Sequence, residues 1–142
     1  MTDEIVRQLI GQPEGKNLEY KLIVPPSNVI ARIIAAFANT EGGVLILGVA
    51  DDISIVGLAD NVPSAAMVEA SIAQLHPRPE VKHYPLEFEL NSNIKRLYVV
   101  EVAKASKVIF TGNKVYIRKA SATVLENPSY QIIVKLHETG EG

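Results

Sequence analysis

The chain has 142 residues, enough for one domain with a real core and too few to expect two. Apolar residues at 47% and charged residues at 21% fit an ordinary globular domain, and no apolar run approaches the ~20 residues that span a bilayer. With no Cys, disulfides, thiol catalysis and Cys-ligated zinc are excluded. Asp3 and Glu4 stand where a secretory signal would be basic, so the default expectation is a cytoplasmic protein without a membrane partner.

Taken in chain order, Thr2 caps a first helix with Asp3 and Glu4 in its first turn. Ile5, Val6, Leu9 and Ile10 are its buried stripe, and Gly11 and Pro13 stop it. Residues 18–23 read as a short strand ended by Pro25-Pro26. Ser27 then caps a second helix whose Ile30, Ile33, Ile34 and Phe37 follow helical spacing. Gly42-Gly43 closes that unit by supplying backbone with positive φ. Residues 44–49 are apolar at successive positions, which predicts a central strand covered on both faces, and residues 53–56 are expected to return beside it. A third helix covers 64–75, followed by strands over 81–90, 96–102 and 115–118. Asn91-Ser92-Asn93 makes a hairpin turn longer than the two-residue ideal. Asn127-Pro128 starts a last helix over Tyr130, Ile133, Val134 and Leu136. The expectation is one α+β domain over residues 1–142, a mixed sheet of about six strands with helices packed on it.

Charge is unevenly placed. Between Leu90 and Leu125, Lys95, Arg96, Lys104, Lys107, Lys114, Arg118 and Lys119 face a single acid, Glu101. Seven against one gives +6, so the remainder must carry −8 to reach the net −2. That asymmetry fits a polyanion-binding face, and equally a solvated strand surface balanced by acidic neighbours. Gly42-Gly43 follows a helix and precedes a strand, the reverse of a phosphate loop, and no Gly-Lys-Ser/Thr occurs, so ATPase activity is not expected. His76, His83 and His137 lack metal-site spacing, and no Gly-x-Ser-x-Gly elbow exists. The carboxylates offer more. If strands 18–23 and 44–49 lie side by side, Glu14, Glu19 and one of Asp51 and Asp52 converge at a sheet edge. There they would share Mg²⁺ or Mn²⁺ and activate water against a phosphodiester. The competing reading pairs Glu19 with Lys21 on one strand face and makes Asp51-Asp52 a plain turn.

The stretch Leu18-Glu19-Tyr20-Lys21, then Ala36-Phe37-Ala38-Asn39-Thr40-Glu41-Gly42-Gly43, then Ile46-Leu47-Gly48-Val49-Ala50-Asp51 resembles the Schlafen-type AlbA-like domain. Ile55-Val56-Gly57-Leu58 and Val115-Tyr116-Ile117-Arg118-Lys119-Ala120-Ser121-Ala122-Thr123 are similar to its later signatures, so the resemblance covers residues 8–127. That family, once labelled a divergent ATPase module, is described as DNA-binding and occurs in predicted prokaryotic transcriptional regulators. The resemblance implies an α+β fold and association with DNA or RNA. In vertebrate Schlafens, two such lobes form a horseshoe that cleaves transfer and ribosomal RNA with a Glu/Glu/Asp set. Glu14, Glu19 and Asp51 or Asp52 stand at the matching positions, whereas the family's Cys/His zinc site cannot form without Cys.

The leading expectation is a nucleic-acid-binding domain without ATPase activity, acting as a homodimer. Lys104, Lys107, Lys114, Arg118 and Lys119 would contact phosphates, and Lys21, Asn39 and Thr40 would position the ligand. One alternative is a metal-dependent endoribonuclease holding its cation at Glu14, Glu19 and Asp51, with Asp52 in reserve. Another is a protein-interaction or self-assembly module.

Overall fold

The computed structural model of the protein describes residues 2–126. Its elements are α1 (Asp3–Leu9), β1 (Leu18–Lys21), α2 (Ser27–Ala38), β2 (Gly43–Leu47), α3 (Ser64–Ile72), β3 (Leu75–His76), β4 (Val81–Leu90), β5 (Asn93–Val102), β6 (Phe110–Thr111), β7 (Val115–Lys119) and β8 (Ala122–Glu126). The fold is α+β. A four-stranded mixed sheet runs in the order β1-β2-β5-β4, with β1 parallel to β2 and the other pairs antiparallel. β3 pairs with β6, and β7 with β8, in two small sheets. The expected helix beginning at Asn127 lies outside the described residues.

The unbroken apolar run of β2 is explained by its place between β1 and β5, with core on both faces. Leu45 and Leu47 meet α2 and α3, whereas Val44 and Ile46 meet Val6 of α1 and the strand residues Leu18 and Tyr20. Ile30, Ile33, Ile34 and Phe37 of α2 are all buried, as the spacing predicts. Ala31, Ala35, Ala36 and Ala38 are buried too, so this helix is enclosed on nearly every side rather than lying on the surface.

Several boundaries differ from expectation. Thr2 caps α1 as expected, its Oγ1 accepting from the Ile5 amide at 3.4 Å. Ser27, by contrast, is the first residue of α2, whose cap is Pro26 and has no side-chain hydrogen bond. Residues 53–56 return beside the end of β2 as expected but form no strand: the contact is the isolated Val49–Ile55 bridge, flanked by the Ala50 amide on the Ser54 carbonyl (3.0 Å) and the Val56 amide on the Gly48 carbonyl (3.1 Å). The third helix stops at Ile72, because Leu75 is taken up in β3 against Thr111. The β4–β5 hairpin pairs Leu90 with Asn93, leaving a two-residue turn in which Asn91 and Ser92 adopt φ of 52° and 67°.

Candidate functional site

The start of β1 is tied to β7 across the sheet edge. Arg118 lies on β7 with its side chain wholly buried, and its guanidinium donates to the Glu19 carboxylate. The same guanidinium also donates to the carbonyls of Gly15 (3.0 Å) and Leu18 (3.2 Å) and to Thr123 Oγ1 (3.2 Å). It sits 4.8 Å above the Phe37 ring, a cation–π contact. A second cation, Lys21 Nζ, reaches Glu19 from the exposed side at 3.4 Å, so the pairing expected along the strand is present. Arg118 was expected on a phosphate-contacting surface, but its donors are spent inside the fold on an acid and backbone carbonyls.

Asn39 and Thr40 at the end of α2 likewise face inward. The Asn39 side chain is buried, donating to the carbonyls of Ile109 (2.9 Å) and Tyr116 (3.0 Å) and accepting from the Ile109 amide (2.8 Å). Thr40 Oγ1 donates to the Ala36 carbonyl at 2.8 Å and accepts from the Arg118 amide at 2.9 Å. These groups fasten β7 and the segment before β6 to the helix end, and a fully engaged buried amide has nothing left for a ligand. Lys21 remains half exposed.

The carboxylates are not assembled into a cation cage. β1 and β2 do lie side by side, and Glu14 accepts weakly from the Tyr20 amide at 3.5 Å. Glu19, however, is neutralised by Arg118 and Lys21, and Asp52 accepts from the Ser54 amide at 3.0 Å and from its hydroxyl. Those hydrogen bonds hold the Asp52 carboxyl below its usual range. Asp51 is exposed beside it. Among the described residues no group of three or more His, Asp or Glu side chains is placed to hold a metal. The residues present therefore do not fit Mg²⁺ or Mn²⁺, because a shared cation needs unneutralised carboxylates facing one point.

Lys104 and Lys107 are brought together. Both are exposed on the segment after β5, which the Ala103 amide joins to the Glu80 carbonyl at 3.1 Å. With Arg78 and Ser106 they line a polar groove of about 430 Å³, whose single lining acid is Glu80. A second groove of about 410 Å³ shares Glu80, Ala103 and Lys104 with it and continues past Lys82 to Asn17 and Gly42. Lys114 is exposed in the turn before β7, and Lys119 is exposed and paired with Glu126 at 3.1 Å. Sequence reasoning missed Arg78 and Lys82, because Glu80 between them hides the cluster from any count along the chain. The detectable signal was the alternation of β4, which places Lys82 outward.

A mixed four-stranded sheet packed on one central helix, with a groove lined by Arg78, Lys104 and Lys107 beside it, defines an α+β domain. The chain belongs to the family described as Schlafen, AlbA_2, whose family model matches residues 14–126. Among solved structures it is similar in fold to the DIP2311 protein from Corynebacterium diphtheriae. The TM-score is 0.56 at 19% identity, over 78% of this chain and 25% of that one. The chain thus spans about a quarter of that protein's length. No curated protein matches it. Among the described residues no helix is long and apolar enough to cross a membrane.

Proposed function

We propose that the protein binds nucleic acid through the groove lined by Arg78, Lys104 and Lys107, with Lys82 of the adjoining groove and the exposed Lys114 and Lys119 as further phosphate contacts. One observation carries this reading: Lys104, Lys107 and Arg78, the last also paired with Glu69 at 3.2 Å, surround an open polar groove of about 430 Å³ whose single lining acid is Glu80, on a chain whose net charge is −2. Exposed ammonium and guanidinium groups on short connecting segments can follow a phosphate backbone without reading bases, so affinity would come chiefly from counterion release. Membership of the Schlafen AlbA_2 family supports the same ligand class. In this reading the protein is cytoplasmic and works as a homodimer, which sedimentation of the pure chain checks directly.

The test is a titration of duplex DNA and of tRNA across a range of salt, with wild type and the triple variant Arg78→Glu, Lys104→Glu, Lys107→Glu. The triple variant should bind unrelated sequences about equally weakly, with a log–log salt slope shallower by about one per lost phosphate contact. A folded variant with an unchanged slope would remove this groove from the contact surface. Preference for duplex DNA would favour a regulatory role, and preference for tRNA an RNA-directed one.

A further inference from the structure

Glu69, the one acid of α3, faces two basic side chains with a single carboxylate oxygen. Arg78 donates to Oε2 at 3.2 Å, and His83 Nε2 lies 3.7 Å from the same atom. The Arg78–Glu69 pair is open to solvent, with both side chains more than half exposed, and pairs of that kind are worth little and readily exchanged. His83 is the enclosed member, its side chain only 16% exposed. Arg78 also lines the groove that holds Lys104 and Lys107. Pro77 and Pro79 restrict the backbone on either side of it, so moving its guanidinium between Glu69 and the groove takes only side-chain rotation.

Few ionisable groups surround His83. From β5 the Tyr98 hydroxyl lies 2.6 Å from Nδ1, and from α3 Glu69 faces Nε2, with Arg78 of the segment before β4 on the same carboxylate. Its neighbours on that face of β4, Val81 and Pro85, carry no charge, and Lys82 and Glu101, opposite each other across β4 and β5, point to the other face. Burial, and then Glu69, raises the Tyr98 phenol, so it keeps its proton and donates to the ring. In the neutral imidazole Nδ1 is then the acceptor, and the ring's own proton is on Nε2, toward Glu69. A second proton enters at Nδ1. Tyr98 then accepts instead of donating, which takes a turn of one hydroxyl, and the ring presents a full positive charge to the Glu69 carboxylate.

Resting on the nucleic-acid reading above, we propose that His83 is a proton-operated release for Arg78. With the ring neutral, Glu69 holds Arg78 back from the groove. With the ring charged, Glu69 is satisfied by His83, and Arg78 turns to a nucleic-acid phosphate beside Lys104 and Lys107. Affinity for the polyanion then rises as pH falls from about 8 to about 5.5, the range in which an imidazole ordinarily gains its charge. The gain is a new phosphate contact rather than diffuse charge, because it passes through Glu69 and Arg78.

The experiment measures tRNA and duplex-DNA affinity against salt at about pH 8 and about pH 5.5, and the Arg78 Nε–H resonance of the free protein at both. Wild type should bind about three- to fivefold tighter at the lower pH, which is what an exposed ion pair can withhold, with a log–log salt slope steeper by about one. In the free protein the Arg78 resonance should move toward that of unpaired arginine as pH falls. Glu69→Gln should bind as tightly at the higher pH as wild type does at the lower, with no further gain on acidification. His83→Gln should stay at the weaker level at both. His76→Gln, at an exposed position two residues from Arg78, should keep the wild-type response. Full pH dependence in Glu69→Gln, or in folded His83→Gln, would overturn the proposal. A moving Arg78 resonance in a protein that binds no nucleic acid leaves the release standing and removes the nucleic-acid reading; a static resonance in a protein that binds removes the release alone.

Discussion

Arg118 shows how one residue can change its meaning between a sequence and a fold. In the chain it belongs to a run of basic residues, and nothing local says that Glu19, ninety-nine positions away, waits for it. The readable clue was the alternation of β7: Arg118 shares a face with Tyr116, which is buried, and not with exposed Lys119. A buried ion pair is costly to break from one side, because the surviving charge keeps its desolvation cost without its partner. Arg118→Met should therefore lower stability by about 3–5 kcal/mol in urea denaturation. Glu19→Leu with Arg118→Met should recover part of that loss, since no charge is then stranded. A single variant within about 1 kcal/mol of wild type would show that the pair contributes little to the folded state.

At the scale of elements, the passage from α2 into β2 was legible in outline, since Gly42-Gly43 after a helical stripe announces a turn. Which glycine matters, and why, was not. Gly42 has φ of 76°, and a Cβ there would stand 2.7 Å from the Val102 carbonyl oxygen, a backbone atom that cannot swing aside. Gly43 has no positive φ, yet a Cβ there would lie 2.5 Å from the Phe37 ring. The second requirement is one of tertiary packing, invisible to local propensity. Each Gly→Ala change should cost about 1–3 kcal/mol through overpacking. Gly42→Ala should cost more, because left-handed backbone adds about 1–2 kcal/mol for a residue with a Cβ. Equal denaturation midpoints for wild type and Gly42→Ala would refute this account. The β4–β5 turn was misjudged by one residue for a related reason. Asn91, Ser92 and Asn93 are all good turn formers, and only the pairing of Leu90 with Asn93 decides which two make the turn.

Across the whole molecule, sequence periodicity recovered the two-faced sheet and its central strand, because burial leaves its mark on every residue of a core element. The grooves left no such mark: Arg78 and Lys82 meet Lys104 and Lys107 only because the chain before β4 lies beside the chain after β5. The same global packing buries Tyr20 of β1 and Tyr98 of β5 and half-buries Tyr84 of β4. Burial, the larger cause in each case, raises the phenols of Tyr20, Tyr84 and Tyr98 above the ordinary value of 10.0. Nearby Glu14, Glu101 and Glu69 push the same way. At a pH where the unfolded chain has lost these protons the folded chain still holds them. Their contribution to stability is therefore complete below the unfolded value and is lost as pH rises through the folded ones. An alkaline titration followed by tyrosinate absorbance and far-ultraviolet circular dichroism together should show two stages. An early rise in absorbance leaves the fold intact, and a later rise coincides with loss of secondary structure. Tyr84→Phe should shrink only the later stage, because its hydroxyl donates to Glu101 inside the fold. If the entire absorbance rise is complete while the dichroism is unchanged, the three phenols are solvated and the packing described around them is wrong.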